Sequence, residues 1–487
     1  MLKHRVRIER DFLGEREVPA EAYYGIQTLR GAENFPVTGL RIDAELIRAL
    51  ALVKQAAALA NQETGALDER RGGAIVAAAA EVAGGALADQ FITDPIQGGG
   101  GISIHMNVNE VIANRALEIL GEARGRYDLL SPNTHVNMSQ STNDVLATGI
   151  HLAALVRLDA LLPELEGLHG AFAAKAREFD GLVKVARTHL QDAVPIRLGQ
   201  ELGAWAAVVA RDFARIRTAR EGLLEINLGA TAVGTGLNAD PAYVASLHRH
   251  VRDLSAYPLR AAADLVDATQ NTDVYTTVSA ALRVCMVDLS KIASDIRLMA
   301  SGPRAGFGEL RLPATQPGSS IMPGKVNPAH AELINQVAFQ VIGNDLTITL
   351  ASEAGQLELN VMEPVLVFNL LQSLTIMTNA LRVFRERLVV GMEADADRMR
   401  RQVEGSIGLA AALNPHLSYE TVARLAREAI ETGAPLRDLV LRDGLLSEAR
   451  LAQVLDPLAM TGSSRPRPTA PDAGAGPSGA RSGPCRK

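Results

Sequence analysis

Five long segments of the chain are apolar on most of their circumference, and they constrain the fold more than any other feature. They are rich in Ala, Leu, Val and Ile at helical spacing and cover 143–177, 192–224, 263–302, 329–354 and 361–390. Most are far longer than the average helix of a globular protein. Because a helix that is apolar on nearly every side is not stable alone in water, these segments must pack against other helices. The sequence therefore predicts an all-α fold.

A single polar stripe runs along the helix predicted over 329–351. It consists of Glu332, Gln336, Gln340 and Asn344, which recur every four residues. Apolar side chains cover the rest of the circumference, so this helix needs neighbours on nearly every side. Since five long helices of one chain are too few to supply them, we infer an obligate homo-oligomer.

The charge balance and the cysteine count exclude several classes of protein. The 487 residues carry a formal net charge of −6, and no basic stripe indicates a nucleic-acid or membrane-surface role. The first residues have no apolar signal core, and no charge-free run of 18 apolar residues occurs, so we expect a cytoplasmic protein. Cys285 and Cys485 lie 200 residues apart, which offers neither a disulfide framework nor a cysteine-ligated metal site.

The pattern predicts three domains and a tail. They are an N-terminal domain over 1–142, a central helical-bundle domain over 143–392, a small C-terminal helical domain over 393–462, and a tail over 463–487. The tail contains mainly Gly, Pro, Ser and Ala without an aliphatic core former, and this composition predicts disorder. Its excess of basic residues is more typical of a solvated tail than of a nucleic-acid arm.

The segment 318–328 reads GSSIMPGKVNP and is rich in hydrogen-bond donors. Gly318 and Gly324 permit backbone turns that other residues do not readily adopt. Side-chain donors come from Ser319, Ser320, Lys325 and Asn327. Because the segment contains no acidic residue, its composition predicts an anion-binding loop.

Two further segments meet a predicted helix start. The run Gln97–Gly101 contains four glycines before a helical stretch, where free backbone N–H groups and the helix dipole favour an anion. Such a run more often forms only a flexible turn, and the absence of GxxxxGK[ST] excludes a nucleotide P-loop. Ser141, Thr142 and Asn143 precede another helix, where they either bind an anion or act only as N-caps. A glycine-rich run over 228–238 contains no lysine, and we expect it to serve packing and turning.

One histidine is a candidate catalytic residue. Thr188 and His189 follow an apolar run and precede the helix predicted to begin near 192. A lone histidine is usually structural, but Glu332 is a candidate partner that would fix its tautomer and raise its basicity. The sequence contains no HExxH motif and no acidic cluster with histidines at ligand spacing, so we predict no catalytic metal.

The loop GSSIMPGKVNP resembles the signature of the aspartase/fumarase superfamily, whose members eliminate an amine or a hydroxyl from succinyl substrates to give fumarate. The resemblance extends over residues 5 to about 445 and includes DFLGEREVPAEAYYGIQTLR, MNVNEVIANRALE, HVNMSQSTNDV, RTHLQDAVPIRLGQE, TAVGTGLN, AFQVIGND, EAGQLELNVMEPV and ALNPHLSYETVARLAREA. Three segments are more similar to the ammonia-lyases of the superfamily than to the class II fumarases. They are Gln140–Asn143, Asp192–Pro195 and Asn360–Pro364.

The resemblance implies a fold, an assembly and a set of site residues. It implies a three-domain chain whose long central five-helix bundle forms a 20-helix bundle in a homotetramer, with each active site built from three subunits. Ser319 matches the catalytic base, in a mobile loop that closes over the substrate, and we expect the positive charge of Lys325 and the backbone amides of the Gly318 turn to favour its ionisation. The residues that match groups holding the β-carboxylate are Ser141, Thr142 and Ser320. The residues that match groups around the amino group and the other carboxylate are Asn143, Thr188, His189, Lys325 and Asn327.

The implied reaction is the reversible anti-elimination of ammonia from L-aspartate to give fumarate, without a cofactor. Removal of the weakly acidic Cβ proton gives an enediolate, which needs preorganised hydrogen-bond donors. A fumarase-type hydro-lyase is the enzymatic alternative, and Gln140–Asn143 disfavours it. The third alternative is a structural or binding protein that keeps the helical bundle without turnover, which only Ile102 supports.

Two residues depart from the superfamily pattern. That pattern is Gly-Thr-Ser-x-Asn-Met-Asn, whereas this chain has Ile102 in place of the threonine and His105 in place of the first asparagine. Loss of one hydroxyl from a charged hydrogen-bond set costs about 1.5–3 kcal/mol. Ile102 therefore leaves two alternatives, a weakened site for aspartate or a site for an amide, ester or other substituted aspartate. His105 is a candidate for restoring the missing donor.

Overall fold

The computed structural model describes residues 5–462, which are mainly α-helical. In chain order, the α-helices of this part of the chain are α1 (Ile26–Asn34), α2 (Ala44–Glu63), α3 (Glu69–Ala83), α4 (Ile102–Ile119), α5 (Thr142–Glu178), α6 (Leu198–Arg220), α7 (Pro241–Ser255), α8 (Leu265–Gln270), α9 (Asp273–Met299), α10 (Ala329–Glu353), α11 (Glu363–Phe384), α12 (Ala396–Gly405), α13 (Tyr419–Thr432), α14 (Leu436–Arg442), α15 (Glu448–Val454) and α16 (Pro457–Met460). Turns of 3₁₀ or π type cover Ala88–Gln90, Pro132–Val136, Glu221–Leu224, Arg385–Val389 and Ile407–Leu413.

Short strands accompany the helices and form two-stranded pairs. Within the described residues the strands are β1 (Val6–Asp11), β2 (Gly14–Pro19), β3 (Val183–Thr188), β4 (Gln191–Arg197), β5 (Glu225–Ile226), β6 (Arg260–Ala261), β7 (Leu310–Arg311) and β8 (Glu393–Ala394). The β5–β6 pair is parallel, and the β1–β2, β3–β4 and β7–β8 pairs are antiparallel. None of these pairs is extended by a third strand, so helices supply most of the core.

The chain divides into two compact units. Among the described residues, the first unit contains 5–178 and 199–395, and the second contains 179–198 and 396–462. The division into three domains that the sequence suggests stays a prediction. The predicted disorder of 463–487 concerns residues outside the described part of the chain.

Long helices form the core of the first unit. α10 packs against α9 on one side and α11 on the other, and α11 also packs against α5. The inner face of α10 buries Ile334, Ala338, Val341 and Ile348. The opposite face exposes Phe339, Ile342, Leu346 and Leu350.

The second unit has an apolar core of its own. The β3–β4 hairpin and the helices from α12 to α16 surround it. Its fully buried side chains include Leu413, Leu425, Val440 and Leu451, and Val185 of β3 packs with them. The hairpin therefore belongs to this core, although it precedes α6 in the sequence.

Two of the five predicted helices differ from the structure. Residues 192–197 lie in β4, and α6 begins only at Leu198. Pro195 explains the difference, because helical backbone is unfavourable for the residue before a proline. The segment instead pairs with β3 as an antiparallel strand. The helix predicted over 263–302 is interrupted, since Asn271 is extended and separates α8 from α9. The other three predicted helices are confirmed. They are α5 (predicted over 143–177), α10 (329–354) and α11 (361–390).

Among residues 5–462, two helices are long and apolar enough to cross a membrane, judged by length and composition alone. They are α5 and the continuous helix Glu363–Val389, and 72% and 61% of their most apolar stretches are buried inside the protein. Burial of this extent is typical of core helices. Length and composition are therefore weak evidence for a membrane span in this chain.

The glycine-rich run 228–238 passes closely over the start of α8. Gly234 has a φ of +95°, and a Cβ atom at this position would lie 2.4 Å from the Cα atom of Val266. Gly121 has a similar φ of +80° but has open space around it. Substitution of Gly121 would therefore cause backbone strain alone, whereas substitution of Gly234 would cause both backbone strain and a steric clash.

We expect Gly234→Ala to destabilise the protein more than Gly121→Ala. Both substitutions force alanine into a left-handed backbone conformation, which costs about 1–2 kcal/mol. Only Gly234→Ala adds a clash with backbone atoms, which costs about 1–3 kcal/mol more. Urea unfolding followed by circular dichroism measures the difference. Equal midpoints for the two variants would contradict the close packing at Gly234.

Candidate active site

The glycine run before α4 forms a helix N-terminus whose backbone conformation favours glycine. Gly99, Gly100 and Gly101 have φ values of +88°, +61° and +82°, in the left-handed region that other residues rarely adopt. A Cβ atom on Gly101 would lie 2.2 Å from a methyl group of Leu146 in α5. Helix α4 then begins at Ile102, whose side chain is 54% exposed. The predicted anion segment is therefore a helix N-terminus with an apolar first residue.

Ser141, Thr142 and Asn143 stand at the start of α5, and all three are half-buried. Ser141 Oγ accepts a hydrogen bond from the Asn143 backbone N–H at 3.3 Å, which is the capping role that the sequence left open. The Asn143 side-chain amide donates to the Ala232 carbonyl oxygen at 2.7 Å. Thr142 Oγ1 lies 2.8 Å from His105 Nδ1. Ser141 therefore caps α5, its role in anion binding stays a prediction, and the Thr142 hydroxyl contacts the buried His105.

A buried carboxylate holds this helix start in place. Asp144 Oδ1 accepts from the Ser141 backbone N–H at 3.0 Å, and Oδ2 accepts from the N–H groups of Gly229 and Thr231 at 3.0 and 3.1 Å. Burial raises the pKa of Asp144 to about 6, and the backbone hydrogen bonds and Lys54 oppose that rise. The run 228–238 therefore does more than pack and turn, because it fixes the start of α5.

Lys54 of α2 is a buried polar residue that the sequence interpretation missed. Its Nζ atom lies 2.5 Å from His105 Nε2 and 2.9 Å from both Asn137 Oδ1 and Gln140 Oε1. Burial lowers the pKa of Lys54, whereas the charge of Asp144 raises it. Burial and the neighbouring Lys54 both hold the pKa of His105 well below its usual range. A lysine inside the apolar run ALALVKQAAALA is the one sequence signal that points to it.

The loop 318–328 is closed by its own backbone and side chains. The Gly318 N–H donates to the Lys325 carbonyl oxygen at 2.8 Å, and the Asn327 amide donates to the Gly318 carbonyl oxygen at 2.9 Å. A Cβ atom on Gly318 would lie 2.7 Å from that Lys325 oxygen, so only glycine closes the loop without displacement. The loop borders a cavity of about 390 Å³ lined by residues between 314 and 326.

Ser319 is polarised inside this loop. Its Oγ atom accepts hydrogen bonds from the backbone N–H groups of Ile321 and Met322, at 3.2 and 3.0 Å. Hydrogen bonds donated to an oxygen favour its deprotonated form. The side chains of Ser320 and Lys325 are exposed, so they are accessible to a ligand. The loop thus combines a polarised hydroxyl with an accessible cation.

Thr188 and His189 lie at the tip of the β3–β4 hairpin in the second unit. Thr188 pairs with Gln191, and the two-residue turn between them has φ values of +55° at His189 and +61° at Leu190. Backbone strain in non-glycine residues often marks functional positions. Both Thr188 and His189 are exposed.

The structure groups some of the predicted site residues and leaves others apart. In the first unit, the starts of α4 and α5 meet through Gly101 and through the contact between His105 and Thr142. The loop with Ser319 has a separate cavity in that unit, lined by its own residues. Glu332 is half-buried in the first turn of α10, and its pairing with His189 stays a prediction.

Comparison with known proteins identifies the family. A family model described as Lyase matches residues 14–343, and one described as Fumarase C C-terminus matches 409–462. The chain is 62% identical over 455 residues to an aspartate ammonia-lyase of Bacillus subtilis, covering 93% of this chain and 96% of that protein.

Solved structures give the same assignment. A fumarate lyase:delta crystallin from Brucella melitensis has a TM-score of 0.91 and 48% identity, covering 94% of this chain and all of that one. A class II fumarase from Schistosoma mansoni has a TM-score of 0.89 and 32% identity, covering 94% and 99%. The chain therefore belongs to the lyase family of the aspartase/fumarase superfamily, and the predicted fold class is confirmed. Within that superfamily it is an ammonia-lyase, a carbon–nitrogen lyase, as the sequence predicts.

Proposed function

We propose that the chain catalyses the reversible anti-elimination of ammonia from L-aspartate to give fumarate, with Ser319 as the base. The observation that carries this proposal is the pair of backbone N–H groups that donate to Ser319 Oγ, in a loop that also presents Lys325. An unperturbed serine hydroxyl is not ionised near neutral pH, so a serine base needs such help. The relatives named aspartate ammonia-lyase support aspartate as the substrate.

The first step is removal of the Cβ proton. Ser319 Oγ, in its deprotonated form, takes this proton and becomes a hydroxyl, while the electron pair of the C–H bond moves onto the neighbouring β-carboxylate to give an enediolate. Donors that lie where this charge develops lower the barrier by about 3–4 kcal/mol each when well placed. The proposed donors are the hydroxyls of Ser141, Thr142 and Ser320. They are accessible or half-buried in the structure, which suits contact with a substrate.

The second step is loss of ammonia. The enediolate electrons form the C=C bond of fumarate, and ammonia leaves with the electron pair of the C–N bond. The proposed groups around the amino group and the α-carboxylate are Asn143, Thr188, His189, Lys325 and Asn327, with Glu332 as the partner of His189. The Thr188 and His189 side chains at the tip of the β3–β4 hairpin are exposed, which suits contact with a substrate.

Replacing Ser319 by alanine tests the base. We expect Ser319→Ala to lower kcat for ammonia release from L-aspartate about 10³-fold, because general-base catalysis contributes on this scale. Exchange of the aspartate Cβ proton with D₂O, followed by NMR, should be lost together with turnover. Ser320→Ala is the matched control, since it removes one carboxylate donor and keeps the base. Its kcat/KM should fall only about 10- to 100-fold. Proton exchange at the wild-type rate in Ser319→Ala would exclude Ser319 as the base.

One observation favours a second candidate substrate class, the substituted aspartates. Ile102 lines a cavity of about 690 Å³, in which Phe12, Leu13 and Phe35 add apolar surface beside charged residues such as Arg30. A substituted aspartate could carry an apolar group on one carboxylate or on the nitrogen. Binding of that group against these apolar side chains would bury apolar surface, which stabilises the complex by about 25 cal/mol per Å². The fumarase-type hydro-lyase has no comparable support from the site geometry.

Replacing Ile102 by threonine separates the two substrate classes. On L-aspartate, Ile102→Thr should raise kcat/KM about 10-fold or more, because it returns a hydroxyl donor to the start of α4. Ile119→Thr makes the same change at the other end of α4 and should leave the rate unchanged. Fumarate absorbance and ammonia release are measured with L-aspartate, L-malate and N- or C-substituted aspartates. A wild-type preference for a substituted aspartate, lost in Ile102→Thr, would instead assign the enzyme to that class.

We also propose that the enzyme is a cytoplasmic homotetramer with active sites shared between subunits. The outer face of α10 carries a stripe of exposed apolar side chains, namely Phe339, Ile342, Leu346 and Leu350. These positions recur at helical spacing, and a continuous apolar stripe of this kind is typical of a helix that packs on a partner. A second copy of the same chain is the proposed partner.

A charge placed on this stripe should prevent assembly. Leu346 is 61% exposed in the chain, and we expect Leu346→Glu to yield dimers or monomers because a buried unpaired carboxylate is unfavourable. Ile430 on α13 is 65% exposed, so Ile430→Glu is a control of matched exposure that should keep the assembly. Size-exclusion chromatography with light scattering gives the mass. An unchanged tetramer in Leu346→Glu would contradict an interface on this face.

A further inference from the structure

His105 lies between a buried cation and a proposed substrate-binding hydroxyl. Its Nε2 atom is 2.5 Å from Lys54 Nζ, and its Nδ1 atom is 2.8 Å from Thr142 Oγ1. The imidazole is 1% exposed, and Lys54 is fully buried. Because the pKa of His105 is held well below its usual range by burial and by Lys54, the ring is neutral, with one donor and one acceptor nitrogen.

The neighbouring amides determine which nitrogen of His105 carries the proton. The Gln140 side-chain NH₂ donates to the carbonyl oxygens of Val136 and Met138, both at 3.0 Å, so its oxygen faces Lys54. The Asn137 NH₂ donates to the Gln140 carbonyl oxygen at 3.3 Å, so its oxygen also faces Lys54. The nearby charge of Asp144 and these two oxygens favour Lys54 as an ammonium group, which has three N–H donors, and the oxygens take two of them. The third is directed at His105 Nε2, which leaves the ring proton on Nδ1.

We propose that His105 is a positioning residue, which donates from Nδ1 to Thr142 Oγ1 and thereby turns the Thr142 hydroxyl proton towards the substrate carboxylate. This inference rests on the proposed role of Thr142 in binding that carboxylate. An oxygen that accepts from His105 must point its own proton elsewhere, and a hydroxyl that accepts a hydrogen bond becomes a stronger donor. The chain from Lys54 through His105 to Thr142 thus directs donors at the site where the enediolate charge develops. This chain of contacts compensates for the missing hydroxyl at position 102, where the superfamily pattern has threonine and this chain has Ile102.

A purely structural role makes a different prediction. If His105 served only to satisfy buried Lys54, the contact with Thr142 would be incidental. Two substitutions of His105 distinguish these roles, because each keeps one of the two ring-nitrogen contacts. The side-chain amide of asparagine lies near the position of Nδ1, and that of glutamine reaches the position of Nε2. His105→Asn keeps the contact with Thr142, whereas His105→Gln keeps the contact with Lys54.

The experiment compares His105→Asn, His105→Gln and His105→Leu by kinetics, thermal unfolding and calorimetric binding of succinate, a dicarboxylate without the amine. We expect His105→Asn to retain most of the wild-type kcat/KM. His105→Gln should unfold near the wild-type temperature and yet lose about 10- to 100-fold in kcat/KM and in succinate affinity. His105→Leu should lose both stability and activity. A His105→Gln variant with wild-type activity, or activities that simply follow the unfolding temperatures, would overturn the proposal.

A double mutant tests whether His105 acts through Thr142. In a Thr142→Val background, His105→Gln should cause no further loss of succinate affinity, because the hydroxyl that it orients is absent. Additive losses would contradict the proposed route. Failure of the proposed function gives a separate result, namely no ammonia release from L-aspartate by the wild-type enzyme. Succinate calorimetry still tests the role of His105 in that event.

Discussion

The arrangement of the site depends on one buried carboxylate, that of Asp144. This carboxylate accepts hydrogen bonds from three backbone N–H groups, one at the start of α5 and two in the turn at Gly229–Thr231. It therefore ties together two segments that lie far apart in the sequence. Its charge also acts on Lys54, which contacts His105 and the amides of Asn137 and Gln140. A carboxylate in this position is costly to bury, and backbone donors are what offset that cost. The hydroxyls at Ser141 and Thr142 owe their fixed positions to this anchor.

The proposed site offers an anionic substrate two kinds of positive potential. One comes from fixed backbone N–H groups, which lie at the helix starts and, in the loop 318–328, donate to Ser319 Oγ, and these groups need no reorganisation during the reaction. The other comes from cations, with Lys54 buried behind α5 and Lys325 exposed on the loop. Since the fixed groups cannot follow a moving charge, they suit the carboxylate that stays in place. The exposed lysine suits the part of the substrate that arrives and leaves.

The long helices were predictable because periodicity over more than twenty residues outweighs local ambiguity. α5 and α10 begin and end within two residues of the predicted positions. The β3–β4 hairpin was missed because its strands are short and its stability comes from packing with α12 and the later helices, far along the chain. The role of Lys54 was not predictable either, since its partners lie 51 to 86 residues away in sequence. The donors of the loop 318–328 were readable from composition, whereas the two N–H groups on Ser319 required coordinates.

The hairpin tip at His189 and Leu190 has a consequence for the proposed assembly. A two-residue turn with both residues at positive φ, closed by the Thr188–Gln191 pair, has few backbone conformations available to it. Ordering a flexible loop at an interface costs about 1–2 kcal/mol of conformational entropy per residue. A tip that is already restricted loses little of this entropy when it meets a partner. In the proposed tetramer, the backbone strain of this tip in the free chain would be offset by a smaller loss of conformational entropy on association.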